Sequence, residues 1–282
     1  MLNAVSRATR ASDVHAVVMA EPFGDRKPSR RSERGIRKPL APSKRLLQRA
    51  AEVLPEVERR LRQVYGIVPE GHAPLGNKHN PLDELVYIQL SVRTRESAYQ
   101  GTYPKIRRVV SGVWERLLSV PDDDALAALE SGGMARVKLD RLRGQLAPLR
   151  ERFGRATLAP LRSMSTEDAE KLLRSLPGVG PKVARCVLLY SLDRDVFPVD
   201  SHCRRVLSRL GFLPSRVDIK ASHDFLQALV PKEVRRSLHV NLIHHGRRVC
   251  TPGVPDCGRC VLLSLCPTGK RIQSGARHDS PL

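Results

Sequence analysis

No stretch of this chain reaches the roughly 18 consecutive apolar residues that a membrane-spanning helix needs. The N-terminus carries Arg7 and Arg10 but no apolar run after them, so a secretory signal is missing too. Both absences make the expected setting intracellular, cytoplasmic or at the nucleoid, with no membrane partner. Acidic residues are scarce: 29 Asp and Glu face 49 Lys and Arg, a net charge of +20. Such a balance attracts polyanions and steers their approach, which fits nucleic acid better than an anionic membrane or an acidic protein. No Asn-Gly hairpin signal separates two alternating apolar runs, and the economical reading is an all-α chain. Its 282 residues allow one large domain or two modest ones.

Along the chain, residues 1–41 are poor in bulky apolar side chains and rich in Arg, Ser and Pro, as in Arg26-Lys27-Pro28-Ser29-Arg30-Arg31. They read as a flexible basic tail. From 42 to 268 apolar residues recur at spacings of three and four. Ser43 is placed to cap a helix carrying Leu46, Leu47, Ala50 and Val53. Asn80-Pro81 reads as N-cap and first-turn proline of a helix with Leu82, Leu85, Val86 and Ile88. Val109, Val110, Val113 and Leu117 form a further set, and Leu139, Leu142, Leu146 and Leu149 another. Residues 269–282 read as a C-terminal tail.

Three features carry chemistry. The first is Leu176-Pro177-Gly178-Val179-Gly180, between a helix capped by Ser165, with Asp168 in capping-box position, and a helix starting at Pro181. Gly178 and Gly180 permit positive φ and let another backbone come close. Amides exposed at a helix start can hold a DNA phosphate, without reading sequence. The same residues also suit an ordinary αα-hairpin. The second is the array Cys250, Cys257, Cys260 and Cys266, whose four thiolates suit zinc or an iron–sulfur cluster better than disulfides. Cys186 and Cys203 stand apart and read as buried apolar fillers. The third is the pair Lys182 and Asp200. Singly, the lysine can pair with phosphate and the aspartate can cap a helix near Ser201. Together they suit base excision: a neutral amine attacks a sugar C1′ and leaves a Schiff base, while a carboxylate stabilises developing positive charge or takes a proton.

Leu176–Lys182 (LPGVGPK), Val199–His202 (VDSH), His245-Gly246-Arg247 and the cysteine array, in that order, resemble the endonuclease III branch of the helix–hairpin–helix DNA glycosylases. The resemblance spans about residues 75–268, with 43–66 as an extra helix. It implies two helical lobes: a six-helix barrel over 75–195 holding the helix–hairpin–helix, and a cluster lobe built from 42–74 and 196–268. It implies a [4Fe–4S] cluster on the four cysteines, Lys182 as Schiff-base nucleophile and Asp200 as catalytic aspartate. A lysine in place of the serine of the adenine-mismatch branch implies a bifunctional glycosylase/AP lyase. Its substrate would be double-stranded DNA with a damaged base, an oxidised pyrimidine by expectation, or an abasic site, bound by a monomer that flips the target nucleotide out. By position, Arg93 stands where the family commonly has the glutamine that fills the gap, Met134 is the wedge, and His202 reaches DNA. The loop 251–256 lacks the basic residues that relatives carry there. Two alternatives stay open: a glycosylase for mismatched or modified bases, and a non-catalytic DNA-binding protein on the same scaffold.

Overall fold

The computed structural model describes residues 41–68 and 74–275. The expected basic tail therefore lies, but for Ala41, outside the described residues. These are helical throughout, and no strand occurs among them. Ser43 caps α1 (Lys44–Tyr65), its hydroxyl accepting from the Leu46 amide at 3.3 Å. Asn80 caps α2 (Pro81–Ser91), Oδ1 accepting from the Leu82 and Asp83 amides at 2.9 and 3.2 Å. There follow α3 (Glu96–Val109), α4 (Asp122–Leu129), α5 (Ala135–Phe153) and α6 (Thr166–Ser175). The Ser165 hydroxyl opens α6, accepting from the Asp168 amide at 3.1 Å. The chain continues with α7 (Pro181–Leu192), α8 (Ser201–Arg209), α9 (Ile219–Leu229), α10 (Arg235–Arg248) and α11 (Pro267–Gln273). The last occupies residues read from sequence as tail.

One apolar set divides. Val109 ends α3, and the chain then turns through Ser111 and Gly112 at φ 48 and 77. Those left-handed residues stop the helix. Val113 is left exposed, and Leu117 is buried from a 3₁₀ turn, Trp114–Leu118. The set Leu139, Leu142, Leu146 and Leu149 lies buried along α5 as its spacing requires.

The chain forms two compact units that divide at Leu85/Val86 and Val179/Gly180. Six α-helices fall within residues 75–195; of these, α7 and the first turn of α2 belong to the second unit. The unit 86–179 has an aromatic core. Tyr87 meets Tyr99 and Tyr103 edge-on at 5.2 and 5.5 Å between ring centroids, and Tyr103 leans on Trp114 at 5.8 Å. Edge-to-face rings pair the positive rim of one with the negative face of the other.

The second unit is centred on α10, against which α1 and α8 both pack. Helix α1 offers the stripe Ala50, Leu54, Val57 and Leu61, all fully buried. Its Arg49 donates to the Leu210 and Gly211 carbonyls at 2.9 and 3.0 Å, closing the C-terminal end of α8. Helices α8 and α10 meet at Gly246, where a Cβ would fall 2.8 Å from Cβ of His202. The contact is backbone against a short side chain, with no flexible tip to move aside. Gly246→Ala is expected to destabilise the protein by about 1–3 kcal/mol through overpacking. Chemical denaturation of the two proteins checks it; an unchanged midpoint would mean that α8 and α10 separate freely.

Candidate active site and cysteine centre

The hairpin joining α6 to α7 divides the work of its two glycines. Gly178 has φ +72, and a Cβ there would fall 2.7 Å from Nε of Arg141. Gly180 has extended backbone and open space around it. The first is required by the turn; the second leaves room for something outside the chain. Val179 points inward, 6% exposed, and its amide donates to Leu176 O at 3.1 Å. Only Gly178 and Gly180 of the three are exposed. Two buried glutamines fix the turn from beneath: Gln145 donates to Pro177 O at 2.8 Å and Gln89 to Gly178 O at 3.2 Å.

Lys182 stands in the first turn of α7, half-buried. Asp200 caps α8, its Oδ1 accepting from the Cys203 amide at 2.7 Å. Burial would raise the Asp200 carboxyl, but the imidazole of His239, the Cys203 amide, His202 and Lys182 outweigh it and hold it below the usual carboxylate range. The Lys182 charge also acts on Glu84, Cys186 and His239. Lys182 thus acts electrostatically on Asp200, and Asp200 caps α8. Burial pushes His239 down to about 4. His202 packs on Gly246 and meets Nη2 of Arg205 at 3.0 Å through Nδ1.

In the unit 86–179, Arg93 and Met134 share an unusual conformation. Both are exposed, and both have left-handed backbones, with φ 52 and 55. Non-glycine residues held that way cost about 1–2 kcal/mol each.

The four cysteines line one small pocket, together with Arg209, Val249 and Pro255 among others. Among the described residues, no three His, Cys, Asp or Glu side chains form a group that could hold a single metal ion. Donors aim at the sulfurs. Buried Arg209 donates to Sγ of Cys250 at 3.2 Å and steadies the next loop through Thr251 O and Gly253 O, at 2.8 and 3.2 Å. The Gly269 amide donates to Sγ of Cys266 at 3.2 Å. Nε2 of His245 lies 3.5 Å from Sγ of Cys260, and the Tyr65 hydroxyl lies 3.1 Å from Nδ1. Burial pushes His245 down to about 4, so the ring is neutral. A tyrosine donating to Nδ1 leaves Nε2–H for the sulfur. Burial pushes the Cys260 thiol up to about 11, so metal binding there must expel a proton. A sulfur-only donor set ringed by N–H donors fits an iron–sulfur cluster.

No family model matches the chain. Among curated relatives, it is 31% identical to endonuclease III of Synechocystis over 199 residues, covering 67% of this chain and 84% of the relative. The chain belongs to the endonuclease III family. A putative DNA glycosylase of Arabidopsis thaliana is 32% identical over 170 residues; the match takes in 60% of this chain but only 57% of that protein. Among solved structures, a non-covalent endonuclease III–DNA complex superposes with a TM-score of 0.65 at 23% identity, over 79% of this chain and 98% of that one, a likeness of fold. This family member is a base-excision-repair DNA glycosylase, an enzyme of the glycosylase/AP-lyase class. The family carries an iron–sulfur cluster. No helix among the described residues is long and apolar enough to cross a membrane.

One titratable group of this endonuclease III relative escaped the sequence reading. Glu84 is fully buried in the first turn of α2, bound by the Asn77 amide nitrogen at 2.7 Å and the Lys78 backbone amide at 2.6 Å. The only available signal was Asp83-Glu84 after the Asn80-Pro81 start, which reads as ordinary first-turn acid. Burial raises the carboxyl from 4.5 to about 7, against the pull of both donors and of Lys182. The native state then binds the proton more tightly than the unfolded chain, so stability falls as pH rises from about 4.5 to about 7. The shift is worth on the order of 3 kcal/mol. Glu84→Gln should flatten the stability profile between pH 5 and pH 8; an equally steep profile would mean another group sets it.

Proposed function

We propose that this endonuclease III family member removes damaged bases from duplex DNA through a Schiff base on Lys182. The observation that carries this is the place of Lys182, half-buried in the first turn of α7 and two residues beyond the exposed Gly180, in the unit that also holds the N-cap Asp200. The exposed hairpin positions a phosphate and leaves sequence unread. The Lys182 amine, once neutral, attacks C1′ of the flipped nucleotide; the C1′–N bond breaks and the base departs with a proton. One Asp200 oxygen is occupied by the Cys203 amide, and the carboxylate stabilises the positive charge developing on the sugar. Opening of the sugar ring gives the imine. Loss of a C2′ proton then expels the 3′ phosphate in β-elimination, and water releases the enzyme.

The proposed lesion class is the oxidised pyrimidine, with an abasic site as the lyase substrate and the protein acting as a monomer. The exposed, left-handed Arg93 favours a second reading, action at mismatched or modified bases, because a guanidinium can hydrogen-bond to guanine or stack on a base. Gly178, Val179, Gly180, Arg93, Met134 and His202 form the proposed DNA contacts. Val179 serves by packing inward and shaping the turn. Cys250, Cys257, Cys260 and Cys266 would hold a [4Fe–4S] cluster, which when bound supplies a covalent cross-link between segments 250–260 and 266.

Borohydride trapping tests the nucleophile. Incubated with duplexes holding an abasic site, thymine glycol, uracil or a G·T mismatch, the protein should form a covalent band, fastest on its preferred lesion. Lys182→Ala should abolish the band with duplex binding nearly intact; a band from the alanine variant would remove Lys182 from the role. For the centre, Cys257→Ala should lose the visible absorbance of an iron–sulfur protein and melt at lower temperature. An unchanged spectrum would contradict the ligand assignment.

A further inference from the structure

Two of the left-handed non-glycine residues of the unit 86–179, Arg93 and Met134, sit on different loops, one after α2 and one before α5, yet a single side chain ties both. Lys138, in the first turns of α5, is 4% exposed. Its ammonium donates to Oγ1 of Thr94 and to the Gly132 carbonyl, each at 2.6 Å. The Thr94 hydroxyl meets the same Gly132 carbonyl at 2.9 Å and the Val92 carbonyl at 3.0 Å. Thr94 follows Arg93, and Gly132 lies two residues before Met134. From the other side, Thr102 of α3 lies 3.2 Å from the Ser131 hydroxyl, and Lys105 donates to it at 3.3 Å.

Both partners of Lys138 are neutral oxygens, so its charge is buried without a carboxylate to balance it. Burial accordingly lowers its proton affinity. An apolar side chain of the same length would fill this space without that desolvation. What such a side chain could not do is hold the Gly132 carbonyl and the Thr94 hydroxyl at once. Left-handed non-glycine backbones persist only where their surroundings over-determine them, and here the surroundings of both are one knot.

We infer that Lys138 is a positioning residue: with Thr94 and the Gly132 carbonyl it locks Arg93 and Met134 into one rigid DNA-inserting pair, so that the gap-filling and wedge side chains enter the duplex together. This rests on the proposed reading of Arg93 and Met134 as inserted residues. Lys138 touches neither DNA nor the reacting atoms; it acts through the two loops.

The test uses the full protein and a duplex carrying the best lesion beside 2-aminopurine, whose fluorescence reports unstacking. Lys138→Met should lower single-turnover excision and the 2-aminopurine rise together by roughly 10- to 100-fold, as expected of misplaced groups. Affinity for undamaged duplex and the rate of borohydride trapping on a single-stranded abasic site should stay unchanged, because hairpin and Lys182 are untouched. Thr94→Val should reproduce the defect and Thr94→Ser should restore function; this pair carries the test if Lys138→Met does not fold. Normal unstacking and excision by folded Lys138→Met, or a Thr94→Ser protein as impaired as Thr94→Val, overturns the lock. Arg93→Ala and Met134→Ala separate the two claims. If they unstack the duplex normally, the insertion reading fails. If they are impaired while Lys138→Met and Thr94→Val are not, the insertion reading stands and the lock alone falls.

Discussion

The left-handed turn at Gly178 is the constraint on which the start of α7 depends. Five residues separate α6 from α7, and the space that a side chain at 178 would need is filled by Arg141. With that turn fixed and Pro181 set at the first helical position, every later residue of α7 has its direction assigned. Val183, Cys186, Val187 and Tyr190 go to the interior, and Lys182 takes a half-buried place at the helix start. One residue more or less in the hairpin would rotate the helix by about 100° relative to its neighbours. Lysine would then take the place of the core Val183 or of Pro181. Backbone geometry at a position with no side chain thus decides where the Lys182 amine is placed.

Asp200 illustrates how one group serves structure and chemistry together. One oxygen satisfies the Cys203 amide, which would otherwise be an orphan donor at the start of α8. That bond fixes the direction of one oxygen, and the Lys182 charge helps hold the carboxyl below its usual range. The usual contrast between a helix cap and a catalytic carboxylate is therefore not a choice between two readings. A capping carboxylate is a carboxylate whose direction is already determined, which is what the proposed chemistry would require of Asp200.

Local signals in the sequence were read well because their causes are local. Ser43, Asn80 and Ser165 cap the helices they precede, and Pro181 begins the one it opens. The stripe from Leu139 to Leu149 is buried. Where the reading broke, the cause was non-local or lay in backbone rather than side chains. Spacing alone could not reveal that Ser111 would adopt a left-handed conformation and separate Val109 from Val113. Nor could it place the helix Pro267–Gln273, whose packing depends on the cysteine segment before it. Glu84 and Lys138 look like ordinary surface charges in sequence, and only the fold closes over them. The neighbours of the catalytic pair, and the donors around the cysteine sulfurs, come from residues far apart in the chain, which no motif joins.

The arrangement of the second unit also sets an order of events during synthesis. Helix α1 ends at Tyr65, and the helix that covers it, α10, begins at Arg235. On a growing chain the stripe Ala50, Leu54, Val57 and Leu61 lacks its main native partner until the ribosome has passed residue 248. The unit 86–179, by contrast, has its helices in one continuous run. This protein therefore keeps an amphipathic helix waiting through most of its translation. For that interval its solubility rests on the arginines and glutamates of α1 and on whatever chaperone accepts an apolar stripe of four residues.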